Sequence, residues 1–308
     1  MNLASIVVVG STNTDMVIKA SRLPQPGETI LGGTFFMSAG GKGANQAVAA
    51  ARLGASVTFI AKTGYDIFGK QAIELFEKEG IDITGISRDK FQPSGVALIT
   101  VDETGENCIV VAPGANATLT PEDINQFKEK IENASFVLMQ LETPIETVET
   151  VANIAISKDV TVVLNPAPAA KLSDELLKKI SIITPNQKEA EMLTGIKVSD
   201  ETSAQQAASF LNRKGIGTVI ITMGAAGAFL FHNNKHTMIH GTKVKVVDTT
   251  AAGDVFNGAL IVALVEGQNM KDAVSFACRA AAISVTRLGA QASAPYRDEL
   301  ERFELNKV

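Results

Sequence analysis

The feature that most constrains this chain is a rhythm: short β-branched runs recur along it, separated by longer segments of helical period. Runs 6–9, 57–61, 136–139, 160–164, 182–184 and 219–222 are mostly apolar and β-branched and read as buried strands. Segments 44–53, 69–79, 145–157, 204–214, 253–266 and 270–286 carry the spacing of amphipathic helices. A strand followed by a helix returns to its own sheet as a parallel neighbour, with the helix laid over one face. The pattern predicts a three-layer α/β/α, Rossmann-like domain with a mostly parallel central sheet. Two stretches break the rhythm. Residues 15–36 are rich in Pro and Gly, and 94–112 alternate around the turn Glu103-Thr104-Gly105-Glu106. Neither has a helix to cover it, so the two are expected to pair as a small antiparallel sheet, a lid projecting from a single domain spanning 1–308.

Composition narrows the function by exclusion. With 45% apolar and 20% charged residues the chain has the balance of a globular protein. The net charge of −5 comes from interspersed acids and bases, so no basic stripe awaits a phosphate backbone. Aromatic content is 5% with no Trp, so a stacking platform for bases is poorly supplied, and nucleic acid is not an expected partner. No apolar run reaches membrane-spanning length, and the stretch 6–9 lacks the preceding basic residues of a signal peptide. Two cysteines, Cys108 and Cys278, are too few to staple a secreted scaffold, so a reducing cytoplasm is expected. A small molecule is the ligand class that remains.

Chemistry concentrates first in Asp248-Thr249-Thr250-Ala251-Ala252-Gly253-Asp254, between an expected strand at 243–247 and a helix. Small residues let backbone approach a ligand, and a helix start offers unpaired N–H groups and a positive dipole end to an anion. Asp254 at that start is placed to take the proton of an attacking hydroxyl, although an aspartate there also serves as a helix cap. The second concentration is Ala39-Gly40-Gly41-Lys42-Gly43-Ala44-Asn45-Gln46. Lys42 is followed by Gly43 and not by Ser or Thr, so this is not a P-loop. The amide and ammonium groups of Gly41, Lys42 and Asn45 suit a ligand with several neighbouring hydroxyls; a flexible loop before a helix is the alternative.

Together the two segments resemble the paired signatures of the ribokinase-like (PfkB) carbohydrate kinases, a likeness that runs over essentially the whole chain. Asn13 and Asp15 after the first strand, Leu141-Glu142-Thr143-Pro144, Asn165-Pro166-Ala167-Pro168-Ala169 and Gly289-Ala290-Gln291 resemble the ribokinase branch. The resemblance implies ATP-dependent phosphorylation of D-ribose at its 5-hydroxyl, with a related sugar or nucleoside (deoxyribose, fructose, adenosine) or a non-catalytic sugar sensor as rival readings. It implies that Asn13, Thr14, Asp15, Gly41, Lys42, Gly43, Ala44, Asn45 and Glu142 bind the sugar. Asp254 would be the base, beside an anion hole at Ala251, Ala252 and Gly253. ATP would be held by Thr222-Met223-Gly224-Ala225-Ala226-Gly227 and near Cys278, where relatives often carry His. Asn186 and Glu189 match an Asn-x-x-Glu element associated with Mg²⁺ and phosphate, although they also suit a helix cap. A K⁺ site is implied at Asp248, Thr250, Ser284, Arg287, Gly289 and Ser293, with Ala292 replacing the usual proline. Arg287 could serve a cation only through its carbonyl, since its guanidinium has no acceptor. A homodimer formed through the lids is also implied.

No GxGxxG links the first strand to its helix, so a nicotinamide cofactor is not expected. His232, His236 and His240 are spaced by four, which on a helix would put three imidazoles on one face. Asn233-Asn234 between apolar runs signals a hairpin instead, and a solvated turn is the expectation.

Overall fold

The computed structural model describes residues 5–305. In chain order the first half holds β1 (Ser5–Val9), β2 (Asn13–Lys19), β3 (Thr34–Gly40), α1 (Lys42–Arg52), β4 (Ser56–Gly64), α2 (Ile67–Lys78), β5 (Asp82–Asp89), β6 (Gly95–Val101), β7 (Asn107–Ala112), α3 (Pro121–Gln126), α4 (Lys128–Glu132), β8 (Phe136–Met139) and α5 (Ile145–Ile156). The second half holds β9 (Thr161–Leu164), α6 (Asp174–Leu177), β10 (Ile182–Ile183), α7 (Gln187–Thr194), α8 (Glu201–Arg213), β11 (Thr218–Thr222), β12 (Gly227–His232), β13 (Lys235–His240), α9 (Ala252–Val265), α10 (Met270–Ser284) and α11 (Arg297–Leu305).

Nine strands form the main sheet in the order β13-β12-β11-β10-β9-β8-β1-β4-β5. All neighbours from β11 to β5 run parallel, and the hairpin β12–β13 adds an antiparallel edge. β1 explains the apolar runs. Ile6 and Val8 join one core with α1, α9 and α10, while Val7 and Val9 join the other with α5 and α8. A strand with helices on both sides has no face left for polar residues. The three-layer expectation is met.

A second sheet of four strands, β3-β2-β6-β7, stands apart from the first. Pairs β2–β3 and β6–β7 are antiparallel as expected, but the central pair β2–β6 is parallel, from Asn13 opposite Gly95 to Lys19 opposite Val101. The reason is topological. Both strands set out from the main domain, with β3, α1, β4, α2 and β5 between them, so they enter the small sheet from the same end. β2 begins at Asn13 and β3 runs on to Gly40, so this sheet delivers its strand ends directly to the glycine-rich segment.

The strand expected at 243–247 does not form. β13 ends at His240, and Val246 and Val247 lie exposed with no strand beside them. The amides of Val247 and Asp248 donate instead to Val285 O, at 2.7 and 3.2 Å, which hangs this segment on the end of α10. The three histidines fall on the β12–β13 hairpin, whose turn residues Asn233 and Asn234 take left-handed φ of 51° and 57°, the geometry of a two-residue hairpin loop. His232 Nδ1 pairs with Thr218 Oγ1 at 2.7 Å, and the His236 ring stacks on Phe229.

Phe59 of β4 is fully buried and meets Phe76 of α2 edge-on, with centroids 5.3 Å apart, clamping α2 onto the sheet. Replacing Phe59 by Ala should lower the unfolding free energy by about 3–5 kcal/mol, read as an earlier midpoint in urea with an unchanged slope.

Candidate active site

The site forms where α1 and α9 touch. Residues 43–50 of α1 are all buried, and four are alanines, so its face is nearly flat. Gly258 completes the approach: a Cβ there would lie 2.8 Å from both Ala49 Cβ and Gln46 O. This close contact of helices brings the first turn of α9 against Asn45 and Gln46. Asp254, 5% exposed, accepts from Asn45 Nδ2 at its Oδ2 and from Gln46 Nε2 at its Oδ1, both at 2.9 Å. It is not a side-chain cap, because the N-cap position is Ala251, held left-handed at φ 59° with no side-chain hydrogen bond. An alanine in that region carries a backbone cost that recurs at ligand sites. Ala252 N donates to Thr249 O and Val255 N to Ala251 O. By helix geometry the amides between them, of Gly253 and Asp254, have no intrahelical acceptor. A Cβ built on Gly253 would meet nothing within 4 Å, so the backbone there faces open space.

The glycine-rich segment lies opposite. Gly41 caps α1 at φ 89°, and a Cβ there would sit 2.7 Å from Asn13 N and Thr12 Cα, so only glycine lets α1 start this close to the loop after β1. Lys42 N and Ser11 Oγ both donate to Glu142 Oε2, which fixes that carboxylate beside α1. Asn13 accepts from Asn116 Nδ2 at 2.8 Å, and Asn116 also bridges the backbone of Thr12. Thr14 lies next to Asp15 on β2, while Gly43 and Ala44 are buried in the first turn of α1. Asn45 Oδ1 is buried with no partner, an acceptor awaiting a donor.

These groups converge electrostatically. Burial, then the charges of Glu142 and Asp254, push the Asp15 carboxyl up to about 6 against the pull of Lys42. Burial also raises Asp254, opposed by Lys42 and by the hydrogen bonds from Asn45 and Gln46. For Lys42 burial disfavours the charge, but Asp254, Glu142, Glu189 and Asp15 outweigh it and hold the ammonium firmly protonated. One cation among four carboxylates is a site built for hydroxyl donors and for a proton acceptor poised above the ordinary carboxylate range.

Asn186 and Glu189 form a reciprocal cap at the start of α7: Asn186 Oδ1 accepts from Glu189 N, and Glu189 Oε2 accepts from Asn186 N. The structural role weighed from sequence is therefore present. Glu189 is nevertheless raised by burial and feels Lys42 and Asp254, so it also looks into the site. The loop Thr222–Gly227 runs beside it, with Thr222 bridged to Asn186 and Thr222 N donating to Pro185 O. Met223 is buried, Gly224, Ala225 and Ala226 form a single turn, and Gly227 opens β12. Gly241 N donates to Ala226 O, which joins this loop to a pocket of about 680 Å³ lined by His240, Gly241, Thr242, Lys243, Ser275, Cys278 and Arg279. Burial pushes the Cys278 thiol up to about 12, so it meets a ligand as a neutral, weakly polar wall.

Asp248 ties two loops together, accepting from Thr250 N and Gly289 N at 2.9 Å each. Burial opposes its ionisation, but these bonds prevail and hold it below the usual range. Ser284 and Ser293 are fully buried, and their hydroxyls donate to Ala281 O and Ala290 O. The Arg287 guanidinium is engaged by Glu299, leaving its carbonyl as the only group it can offer a cation. Sequence reasoning overlooked Ser11, Gln46, Asn116, Gln140 and Asn165 as partners of the site. Gln46 lay inside a quoted motif, but nothing in the string says that its side chain reaches a residue 208 positions away.

Residues 3–297 match the pattern of the pfkB family carbohydrate kinases. The chain is 50% identical over 299 residues to a ribokinase of Haemophilus influenzae, covering 97% of this chain and 98% of that protein. It is 36% identical over 299 residues to a deoxyribokinase of Salmonella typhi, again covering 97% and 98%. Its fold is similar to the structure of Arabidopsis thaliana ribokinase complexed with ribose and ATP, with a TM-score of 0.92 at 33% identity, over 97% of this chain and 98% of that one.

A raised carboxyl means that the folded protein binds the Asp15 proton more tightly than the unfolded chain does. The stability this lends is full below the ordinary value of 3.8 and is lost as pH rises through about 6. Asp15→Asn should therefore stabilise the ligand-free protein, with a gain that grows as pH rises through that window. Urea midpoints of both proteins across the window check the sign.

Proposed function

The chain belongs to the pfkB family of carbohydrate kinases, and from that premise we propose that it transfers the γ-phosphoryl group of ATP to the 5-hydroxyl of D-ribose. The observation that carries this reading is the placement of Asp254, a buried carboxylate gripped on both oxygens beside free helix amides and open space. A sugar hydroxyl is a weak nucleophile at neutral pH, and a carboxylate that takes its proton as the bond forms is what the reaction needs. The O5–Pγ bond forms, the bond from Pγ to the β-phosphate oxygen breaks, the proton passes to Asp254, and ADP leaves. Charge growing on the transferred group faces the amides of Gly253 and Asp254, which are oriented before the reaction begins. Ribose is favoured over deoxyribose by the nearness of the relatives, 50% identity to a ribokinase against 36% to a deoxyribokinase.

In this reading the sugar hydroxyls donate to Asp15 and Glu142 and meet Asn13, Lys42 and the unpaired Asn45 oxygen. The small sheet, strands β2, β3, β6 and β7, acts as the lid over them. ATP lies along Thr222–Gly227 with its base toward Cys278. Among the described residues no cluster of three or more His, Cys, Asp or Glu stands ready for a metal. A divalent ion such as Mg²⁺ would be assisted by Glu189 and Asn186 through water, and when bound it would supply charge neutralisation to the phosphates. K⁺ would be held at the loop pair joined by Asp248, by oxygens of Asp248, Thr250, Ser284, Arg287, Gly289 and Ser293.

One face of the small sheet carries Ile18, Phe35, Met37, Leu98 and Val110, all well exposed. A second copy of the chain is the proposed cover, giving a homodimer through the lids. Two free cysteines suit the reducing cytoplasm as the place of action, and no described helix is long and apolar enough to cross a membrane. Sedimentation should give a dimer, with Leu98→Glu shifting it to monomer; a wild-type monomer removes the dimer.

Asp254→Asn should lower kcat by about 10²–10⁴-fold while ribose still binds, as followed by coupled ADP release and by calorimetry. The wild-type kcat/KM should be highest for ribose among ribose, deoxyribose, fructose and adenosine. A higher value for a competitor replaces the substrate but leaves the chemistry. Ribose binding without ADP release makes the protein a sensor.

A further inference from the structure

Behind Asp254 lies a set of buried amides that the proposed chemistry does not touch. Gln46, fully buried, spends both protons of its side-chain nitrogen, one on Asp254 Oδ1 at 2.9 Å and one on Asn165 Oδ1 at 3.1 Å. Its oxygen accepts from Gln140 Nε2 at 2.6 Å. Asn165 Nδ2 donates to the backbone oxygen of Thr184 at 3.2 Å. Thr184 continues through its hydroxyl to Asn257 Oδ1 at 2.6 Å, and Asn257 Nδ2 returns to Gly253 O at 2.8 Å, next to Asp254. The circuit is closed.

A side-chain amide has two faces of opposite polarity, and either can point at a given neighbour unless something fixes it. Thr184 O is backbone and can only accept. It therefore demands the nitrogen of Asn165, which turns the Asn165 oxygen toward Gln46, which turns the Gln46 nitrogen toward both Asn165 and Asp254. Gln140 sets no direction of its own, because its second polar atom, Oε1, is buried without a partner and the amide could serve Gln46 either way round. Without Asn165 the only partner requiring a nitrogen from Gln46 would be Asp254 itself.

We infer that Gln46 is a positioning residue that fixes the rotation of the Asp254 carboxylate, and that its own orientation is dictated from Thr184 O through Asn165. The carboxylate plane is thereby set before substrate arrives, with Asn45 holding the second oxygen, so the lone pair that takes the proton faces the nucleophile. This rests on Asp254 being the base. The charged groups around Asp254 are Lys42 of α1, Asp15 of β2, Glu142 beyond β8 and Glu189 of α7, and none belongs to the amide circuit. Changing the circuit leaves their charges in place.

The test compares Gln46→Leu, Asn165→Leu and Asp254→Asn with the wild type, expressing turnover per ribose-binding site counted by calorimetry, so that unfolded molecules do not enter. Gln46→Leu should lower per-site kcat on the order of 10²-fold, the scale of a misplaced reacting group. Asn165→Leu should follow in the same direction by less, while KM for ribose changes far less than kcat in both. The acid limb of the kcat profile should move to higher pH in both, since each weakens a donor to the carboxylate. Should the leucine variants not fold, Asn165→Ala carries the same expectation. Wild-type per-site kcat in Gln46→Leu or in either Asn165 variant, or equal losses in kcat and ribose affinity, overturns the positioning role. Retained turnover in Asp254→Asn instead overturns the base beneath it, whatever the amide variants do.

Discussion

Everything in the site depends on one contact, the hydrogen-bonded grip of Asn45 and Gln46 on Asp254 across the α1–α9 seam. Buried without partners, that carboxylate would take up a proton and cease to be a base. Two amide donors and the charge of Lys42 pull against that burial and favour the ionised form. The seam itself is made by small residues, Gly258 against Ala49 and the backbone of Gln46, which let two helices approach closely enough for short side chains to span the gap. Packing and chemistry here share the same atoms, so a larger residue in the seam would open the helices and release the acid together.

The crowding of carboxylates around Lys42 has the same logic. Burial raises Asp15, Asp254 and Glu189, and the charge of Glu142 adds to the first two, an arrangement that costs stability in the empty protein. A polyhydroxyl ligand relieves it by donating hydrogen bonds to the acids, so part of the folding free energy set aside here returns on binding. An analogue lacking a hydroxyl leaves an acid unpaired, which is how such a site discriminates.

Much of this was legible in the string, for definite reasons. β1, β4, β8 and β9 stand out because strands buried on both faces are rich in apolar and β-branched residues, and α9 because small residues precede a long apolar helix. The residues of the two motifs come together as the motifs suggest: Asn45 reaches Asp254, and Lys42 lies within its field. The segment 243–247 misled because alternating Lys and Val look like a strand, whereas strands exist only through neighbours and β13 already ends the sheet. The parallel pair β2–β6 was hidden because strand direction is set by the chain between the strands and not by their residues. Gln140 was hidden for a related reason, and Asn165, although inside a motif, gave no sign of its partner, because the meaning of a neutral amide lies in which atom faces which.

The most direct test of the central claim is a crystal structure of this chain with ribose and a non-hydrolysable ATP analogue bound together. The ribose 5-oxygen should lie within about 2.6–3.2 Å of an Asp254 carboxylate oxygen, in line with a terminal phosphate resting on the amide of Gly253. A ribose presenting a different hydroxyl to Asp254, or a terminal phosphate seated away from the start of α9, would contradict it.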